Sequence, residues 1–270
     1  MQWTASVTYT NGSGWLAVSP TSGENNGTIR IDATPGTLAP GTYQATLTVN
    51  AGPLAGTHNV AITFVIAPAA AAIPSIQSAV NAATFATGPI TPGSIATLIG
   101  SLFSGQNVSV TFNGLPGQVL FSNATQINLI VPAGLSASAT SAQAIVTVDG
   151  TPSAPFTVNL APFAPGIFAN GIANQDSSVN SVQQPAAPGS IIQVYATGLS
   201  GTGVIIAKIG SETVTQPYYA GPAPGIAGVQ QIDLILPSTL TGNTVNVAVC
   251  GGPTVAQVVC SPPVAVAISQ

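Results

Sequence analysis

The 270-residue sequence has almost no charged side chains. Lys, Arg, Asp and Glu together make up 3% of it, whereas about 25% is usual for a soluble domain. Nucleic-acid binding needs clustered cations to neutralise phosphates, but the only two cations, Arg30 and Lys208, lie far apart in the sequence. We therefore predict no nucleic-acid partner. Disorder is not predicted either, because it requires low hydrophobicity, and 46% of this chain is hydrophobic with a net charge of −4.

The sequence also lacks a hydrophobic run of membrane-spanning length. Its most apolar stretch, residues 60–74, is interrupted by Pro68 and Pro74 and falls short of the ~20 apolar residues that a spanning helix needs. The first residues have neither the basic nor the apolar region of a signal peptide. The sequence predicts no membrane span. Two explanations for the missing signal peptide stay open: the chain is cytoplasmic, or the sequence lacks its true start.

Residues suited to acid–base catalysis are scarce. The single histidine, His58, stands at the start of an apolar alternation, where a polar residue at a strand edge is expected, and no Gly-x-Ser-x-Gly motif offers a nucleophile. The six acidic residues are widely dispersed and show no spacing typical of paired catalytic carboxylates. We therefore predict no catalytic residue, no cofactor and no enzymatic activity.

The segment Asn174–Ser178 supplies oxygen ligands at alternate positions, as a calcium-binding loop does. Asp176 is its one carboxylate, however, whereas a calcium site usually has several. A turn held by bonds from Asn or Asp side chains to the backbone fits this composition better. The sequence predicts such a turn and no metal site.

Cysteine is limited to two residues, Cys250 and Cys260. Their spacing lacks the second pair of ligands that a zinc site needs. Two unrelated buried thiols are one alternative, but we favour a disulfide that closes the short loop between them. The disulfide predicts an oxidising environment and hence an extracellular or cell-surface location.

Glycine and proline, in contrast, are abundant, with 29 and 23 residues scattered between short apolar runs. Glycine and proline at such frequent intervals favour many short strands over helices. Apolar residues alternate with polar ones in Trp3–Tyr9, Ile29–Ile31, Tyr43–Val49 and Val60–Ile66. A period of two residues is typical of strands with one buried face, so an all-β fold is predicted.

An internal repeat divides the rest of the chain. Pro92–Ile95 recurs as Pro188–Ile191, and Gln126–Pro132 recurs as Gln231–Pro237 with five identities in seven positions. Two such copies indicate two β-sandwich modules. With the first segment, the sequence predicts three tandem Ig-like β-sandwiches joined by short Pro/Ala/Gly-rich linkers. The predicted bounds are residues 1–67, an Ala/Pro linker at 68–74, then 75–162, and 163–270 with a disulfide-clamped insertion.

Several motifs of the repeat region are those of one known family. They are Val80–Phe85, Ile90–Ile95, Ala164–Phe168, Asn174–Asn180, Tyr195–Leu199, Tyr219–Gly225 and Gly228–Asp233. On these motifs, residues 75–269 resemble the Solibacter-type C-terminal domain family of large secreted acidobacterial proteins. That family has no established activity, so the resemblance implies a secreted architecture without a mechanism.

The first segment carries a second set of family motifs: Trp3–Ala5, Trp15–Leu16, Ser19–Pro20 with Gly23, and Gly41–Tyr43. On these motifs, residues 1–67 resemble a BACON domain, an Ig-like module proposed to bind carbohydrate or mucin. Members of that family carry one or two strands ahead of the position of Trp3. The resemblance therefore implies either an N-terminally incomplete sandwich or a fragment of a longer protein.

Aromatic side chains are the candidates for stacking on sugar rings. Trp3, Tyr9 and Tyr43 fall in phase with the inward positions of their strands, so core packing is favoured for them. Trp15 follows a Gly-rich turn, and it is the carbohydrate-binding residue that the sequence predicts, with core packing as the alternative. Tyr218 and Tyr219 are adjacent, so one of them faces outward if they lie on a strand.

These features together predict a non-enzymatic, extracellular structural or adhesive module. Strand edges in monomeric proteins are usually protected by charge or proline, and this chain has very little charge. Self-association through strand edges with another copy is therefore one predicted interaction. The alternative is a carbohydrate-binding module of a larger secreted protein, with a glycan as its partner.

Overall fold

The computed structural model describes residues 1–69, 72–136 and 138–269. The described residues form 23 β-strands and one short helix, α1 (Gly52–Ala55), which confirms the predicted all-β class. No helix in this described part is long and apolar enough to cross a membrane. The chain divides into two compact units, Met1–Ala71 and Ala72–Gln270. Ala70 and Ala71 of the predicted linker lie outside the described residues.

The N-terminal unit is a sandwich of two unequal sheets. Its strands are β1 (Gln2–Tyr9), β2 (Leu16–Ser19), β3 (Ser22–Glu24), β4 (Arg30–Ala33), β5 (Gly41–Asn50) and β6 (Thr57–Ile66). The larger sheet has the order β3–β1–β5–β6, and the smaller one consists of β2 and β4. Alternate residues of the central strands, Trp3 and Ala5 in β1 and Ala45 and Leu47 in β5, are buried in the core. The alternation of apolar and polar residues in these strands thus corresponds to one buried and one exposed face, as predicted.

The first sandwich of the second unit is built on one continuous path of paired strands. Its strands are β7 (Ser75–Asn81), β8 (Ile95–Ser101), β9 (Val108–Phe112), β10 (Leu115–Ser122), β11 (Gln126–Ile130), β12 (Ser141–Val148), β13 (Thr151–Pro152) and β14 (Phe156–Asn159). Strand β10 joins the two faces, because Leu115–Gly117 pair with β9 and Gln118–Ser122 pair with β11. The core between the faces includes the fully buried Leu98, Phe112 and Leu129.

The second sandwich has two separate sheets. Its strands are β15 (Gly166–Asn174), β16 (Ile191–Thr197), β17 (Val204–Ile209), β18 (Glu212–Val214), β19 (Tyr219–Pro222), β20 (Gln230–Ile235), β21 (Thr244–Thr254), β22 (Gln257–Cys260) and β23 (Val264–Ala267). One sheet has the order β15–β16–β20–β19; the other has the order β18–β17–β21–β22, with β23 also paired to β21. Ile192, Val194, Ile232 and Leu234 point from the first sheet into the shared core.

The sequence repeat corresponds to a repeated turn and strand pair. The amide of Gly93 donates to the carbonyl of Val131 at 2.9 Å, and the amide of Gly189 donates to that of Leu236 at 3.0 Å. The repeated Gln-Ile segments form β11 and β20, which pair antiparallel with the strands that follow these turns, β8 and β16. Tandem β-sandwich modules are thereby confirmed, while the exact module bounds stay predictions.

Polar contacts join the two sandwiches within the second unit. The Asn81 Nδ2 donates to the Ala164 carbonyl at 2.8 Å. The fully buried Thr197 hydroxyl accepts from the Ile95 amide at 2.9 Å and donates to the Gly228 carbonyl at 2.8 Å. These bonds hold one end of β8 against the second sandwich.

The predicted disulfide is present between Cys250 in β21 and Cys260 in β22. The two residues lie directly opposite each other in the antiparallel pair, and Cys250 is fully buried. The segment between them continues β21 to Thr254 and turns back at β22, so it is a β-hairpin instead of the expected loop. The disulfide therefore clamps the base of a hairpin.

Candidate binding surfaces

His58 and the charged side chains of the N-terminal unit lie at its surface. His58 is exposed on β6, and its Nε2 lies 3.1 Å from the backbone carbonyl of Ala55. Arg30 and Asp32 form an exposed ion pair at 2.8 Å. Among the described residues, no group of three or more His, Cys, Asp or Glu side chains is arranged to hold a metal ion. Two surfaces are the candidate functional features.

The segment around Asp176 forms the turn that the sequence predicts. The Asp176 Oδ1 accepts bonds from the Ser178 amide at 3.0 Å and from the Ser178 hydroxyl at 2.6 Å. These bonds stabilise the charged carboxylate and lower the pKa of Asp176 below its ordinary value. Neighbouring Asn174 donates to Ser178 and to the carbonyl of Gln184, so this segment holds its own loop together.

Trp15 does not have the exposure expected for a sugar-binding residue. It is only 2% exposed, because Phe64 stacks on it at 5.4 Å and Tyr9 packs edge-on at 5.7 Å. Its indole N–H donates to the Asn11 carbonyl at 3.4 Å. Trp15 therefore packs in the core, which was the alternative to sugar binding. Trp3 is also buried, in agreement with its predicted core position.

An outward-facing group of polar and aromatic side chains lies on the sheet β15–β16–β20–β19. We call it the aromatic–amide face; its members are Gln193, Tyr195, Tyr219, Gln231 and Asp233. They face outward because the intervening residues of β16 and β20 point into the core. The register places Asp233 between Gln193 and Tyr219, and it places Gln231 between Tyr195 and Gly221.

The side chain of Tyr219 is held over Gly221. Its hydroxyl donates to the Pro222 carbonyl at 2.8 Å. A Cβ atom at Gly221 would lie 2.8 Å from the Tyr219 hydroxyl oxygen and 3.1 Å from its ring, so the absence of a side chain at Gly221 makes room for the ring. With 38% of the residue exposed, the outer face of this ring is open to solvent.

Hydrogen bonds order the other members of the aromatic–amide face. The Tyr195 hydroxyl donates to Gln193 Oε1 at 3.4 Å, and Gln231 Nε2 donates to Asp233 Oδ1 at 2.9 Å. Tyr195 lies opposite Gln231 and Tyr219 lies opposite Asp233, so the two tyrosines are two strands and two residues apart, with Cα atoms separated by about 12 Å. Two phenol rings therefore flank an ordered amide–carboxylate pair.

The free edge of β6 is the second candidate surface. In the hairpin, the Ala51 amide bonds to the Gly56 carbonyl, whereas the Gln44 carbonyl bonds to the Thr10 amide on the β1 side. Because backbone groups alternate in direction along an antiparallel strand, the odd-numbered residues of β6 direct their N–H and C=O away from β5. They are Thr57, Asn59, Ala61, Thr63 and Val65. Among the described strands, β6 pairs with β5 alone.

The smaller sheet leaves the inner face beside this edge partly uncovered. Val60 shares a face of β6 with Ile62, which packs against the core, yet Val60 is 48% exposed. Ile31 in β4 is paired opposite the core-packing Val18 and is 41% exposed. Inward-facing apolar side chains on both β4 and β6 are therefore half open to solvent.

Comparison with protein families identifies one Ig-like domain in the chain. Residues 74–160, the first sandwich of the second unit, match the IPT/TIG domain. A search of curated proteins finds no match. The resemblances of residues 1–67 and 75–269 to the BACON and Solibacter-type families stay predictions.

Several solved structures have a distant likeness to the chain. SGBP-B from a xyloglucan utilization locus of Bacteroides uniformis is 16% identical over 71% of this chain and 49% of its own, with a TM-score of 0.26. The surface glycan-binding protein PbSGBP-B of Prevotella bryantii is 13% identical over 72% and 42%, with a TM-score of 0.28. The gamma-CGTase of alkalophilic Bacillus clarkii is 10% identical over 99% and 40%, with a TM-score of 0.29. This chain spans less than half of each of these proteins, and such distant likeness carries no functional argument.

Proposed function

We propose that this chain is a non-enzymatic, extracellular adhesive module that self-associates through the free edge of β6 in its N-terminal unit. The observation that carries the proposal is the edge itself. The strand is ten residues long, contains no Lys, Arg, Asp, Glu or Pro, and includes the half-exposed Val60.

Such an edge is suited to pairing with a second copy of the chain. Unpaired N–H and C=O groups form a template for another strand, and monomeric proteins usually block it with charge, proline or a bulge. Antiparallel pairing of β6 with β6 of another copy satisfies these groups symmetrically. Pairing with a second copy also shields the half-exposed, inward-facing side chain of Val60 from solvent.

Two further observations support an extracellular, non-enzymatic role. The disulfide between Cys250 and Cys260 is a bond that persists in oxidising compartments, and the resemblance of residues 75–269 to a family of secreted proteins supports the same location. In the described part of the chain, the acidic side chains and His58 do not gather in one cluster, so the chemistry favours contact over catalysis.

Self-association is tested by sedimentation of the full-length chain over a wide concentration range. We expect dimers that dissociate on dilution. Val60→Lys places an ammonium group beside the edge, where a monomer leaves it solvated and a paired edge buries it, so this variant should be monomeric. Thr8→Lys adds the same charge on an exposed outward position of β1, away from the edge, and should leave the dimer unchanged. A wild-type chain that stays monomeric throughout, or equal effects of the two lysines, would refute the proposal.

Carbohydrate binding is the second candidate function, and the aromatic–amide face favours it. Trp15 is buried and offers no platform, but Tyr219 presents an open ring next to amide and carboxylate groups. The resemblance of residues 1–67 to a family proposed to bind carbohydrate supports the same class of ligand. Retention of the full-length chain on immobilised polysaccharides tests this candidate directly.

A further inference from the structure

We propose that the aromatic–amide face is the carbohydrate-binding site, and that its ligand is a neutral, β-linked polysaccharide of flat pyranose rings with equatorial hydroxyls. The inference gives the second candidate function a site and a ligand class, and it rests on that function. It concerns the second sandwich and is independent of self-association through β6.

The two tyrosines supply the apolar part of such a site. A pyranose with equatorial hydroxyls has C–H groups on its flat faces, and these pack favourably against the face of an aromatic ring. The ring of Tyr219 lies over Gly221, and the residue is 38% exposed. Tyr195 is half-buried two strands away. Their Cα atoms lie on a diagonal of about 12 Å, a distance that spans about two sugar residues of an extended chain.

The polar groups between the rings match the edges of a sugar. Equatorial hydroxyls point outward in the plane of the pyranose, and each can donate and accept a hydrogen bond. Gln193 and Gln231 offer amide donors and acceptors, and Asp233 offers carboxylate acceptors, which form the stronger, charge-assisted bonds. The bond from Gln231 Nε2 to Asp233 Oδ1 fixes these two groups in place, so less side-chain entropy is lost on binding.

Charge favours a neutral ligand over an anionic one. Asp233 is the charged member of the face, and the two cations of the chain lie on other strands, Arg30 in β4 and Lys208 in β17. An acidic polysaccharide would therefore bring its carboxylates toward a carboxylate without a cation to compensate.

The corresponding face of the first sandwich provides an internal comparison. There Phe121 lies opposite Asn128, and Gln126 donates to Asn128 at 2.8 Å, much as Tyr219, Asp233 and Gln231 are arranged. The positions of Tyr195 and Gln193 are taken by Ile99 and the fully buried Thr97, however. The first sandwich thus lacks the second ring, which makes Phe121 a matched control.

The experiment measures binding of the full-length chain to hydroxyethylcellulose by affinity electrophoresis and to cellohexaose by calorimetry. We expect Tyr219→Ala to weaken binding by about tenfold, the upper end for loss of one stacked ring. Gly221→Ala should also weaken it, because the added Cβ displaces the ring without removing it. Phe121→Ala should bind as the wild type does. Polygalacturonate, as an acidic probe, should bind more weakly than the neutral chains.

The possible results test the assigned site and the carbohydrate-binding function separately. If the wild type binds neither neutral probe, the ligand class assigned here is refuted, and if it also fails on the immobilised polysaccharides, carbohydrate binding itself fails. If the wild type binds but Tyr219→Ala and Gly221→Ala bind equally well, the function stands and the assigned site is wrong. Stronger binding of polygalacturonate than of the neutral probes would overturn the ligand class. Circular dichroism of each variant confirms that the fold is retained.

Discussion

Trp15 shows how one residue can be misjudged from its neighbours in sequence. It follows a Gly-rich turn, which usually marks the surface, and this suggested an exposed ring. In the structure Gly12 and Gly14 adopt positive φ values of 68° and 72°, a conformation that glycine reaches without steric cost. The tight turn brings the chain back over the larger sheet, and Trp15, the residue just before β2, is directed into the core.

Truncation of Trp15 should therefore be costly for stability. We expect Trp15→Ala to lower the free energy of unfolding of the N-terminal unit by about 3–5 kcal/mol, the usual range for removing a large buried aromatic side chain. Denaturant unfolding followed by tryptophan fluorescence reports on this unit alone, because both tryptophans of the chain lie in it and Trp3 remains in the variant.

The control for this prediction is Leu54→Ala, which removes a large apolar side chain of the same unit that is 97% exposed. Its effect on unfolding should lie within about 0.5 kcal/mol of zero. An unchanged midpoint for Trp15→Ala, together with lost polysaccharide binding, would show instead that Trp15 is the sugar-binding residue.

At the scale of elements, strands with regular alternation were predictable and irregular ones were not. The alternation of β1, β5 and β6 follows from one buried face, and the repeated Gln-Ile segments identified β11 and β20. Strand β19, however, has the sequence Tyr-Ala-Gly-Pro, which looks like a turn. It becomes a strand only because it pairs with β20, so the direction of Tyr219 is set by tertiary contacts.

The clamped hairpin of β21 and β22 allows a prediction about one element. Replacing Cys250 and Cys260 together by Ala should lower the stability of the second unit by about 3 kcal/mol, the entropic contribution of a loop of this length. Thermal unfolding by far-ultraviolet circular dichroism measures the change. Tryptophan fluorescence, which reports on the N-terminal unit, should keep its midpoint. A double variant as stable as the wild type would mean that strand pairing alone holds the hairpin.

At the scale of the whole molecule, the sequence predicted tandem sandwiches but not how the two repeats are joined. No motif marks Thr197 as special, since its role depends on Ile95 and Gly228, which are distant in sequence. The same holds for the free edge of β6, whose length is visible in the alternation while its lack of a covering strand is visible only in the sheet order. Properties that depend on long-range pairing are the ones that a local pattern cannot encode.

The joint between the two sandwiches is testable through Thr197. Thr197→Val keeps the volume of the side chain but removes the fully buried hydroxyl, which leaves the partly buried Ile95 amide and Gly228 carbonyl without this partner. A buried unsatisfied polar group costs about 1–3 kcal/mol, so the second unit should unfold at lower denaturant concentration. The amide of Ile95 should also exchange faster with solvent. Thr213→Val, at an exposed position of β18, is the matched control, and equal behaviour of the two variants would show that the sandwiches are held together by other contacts.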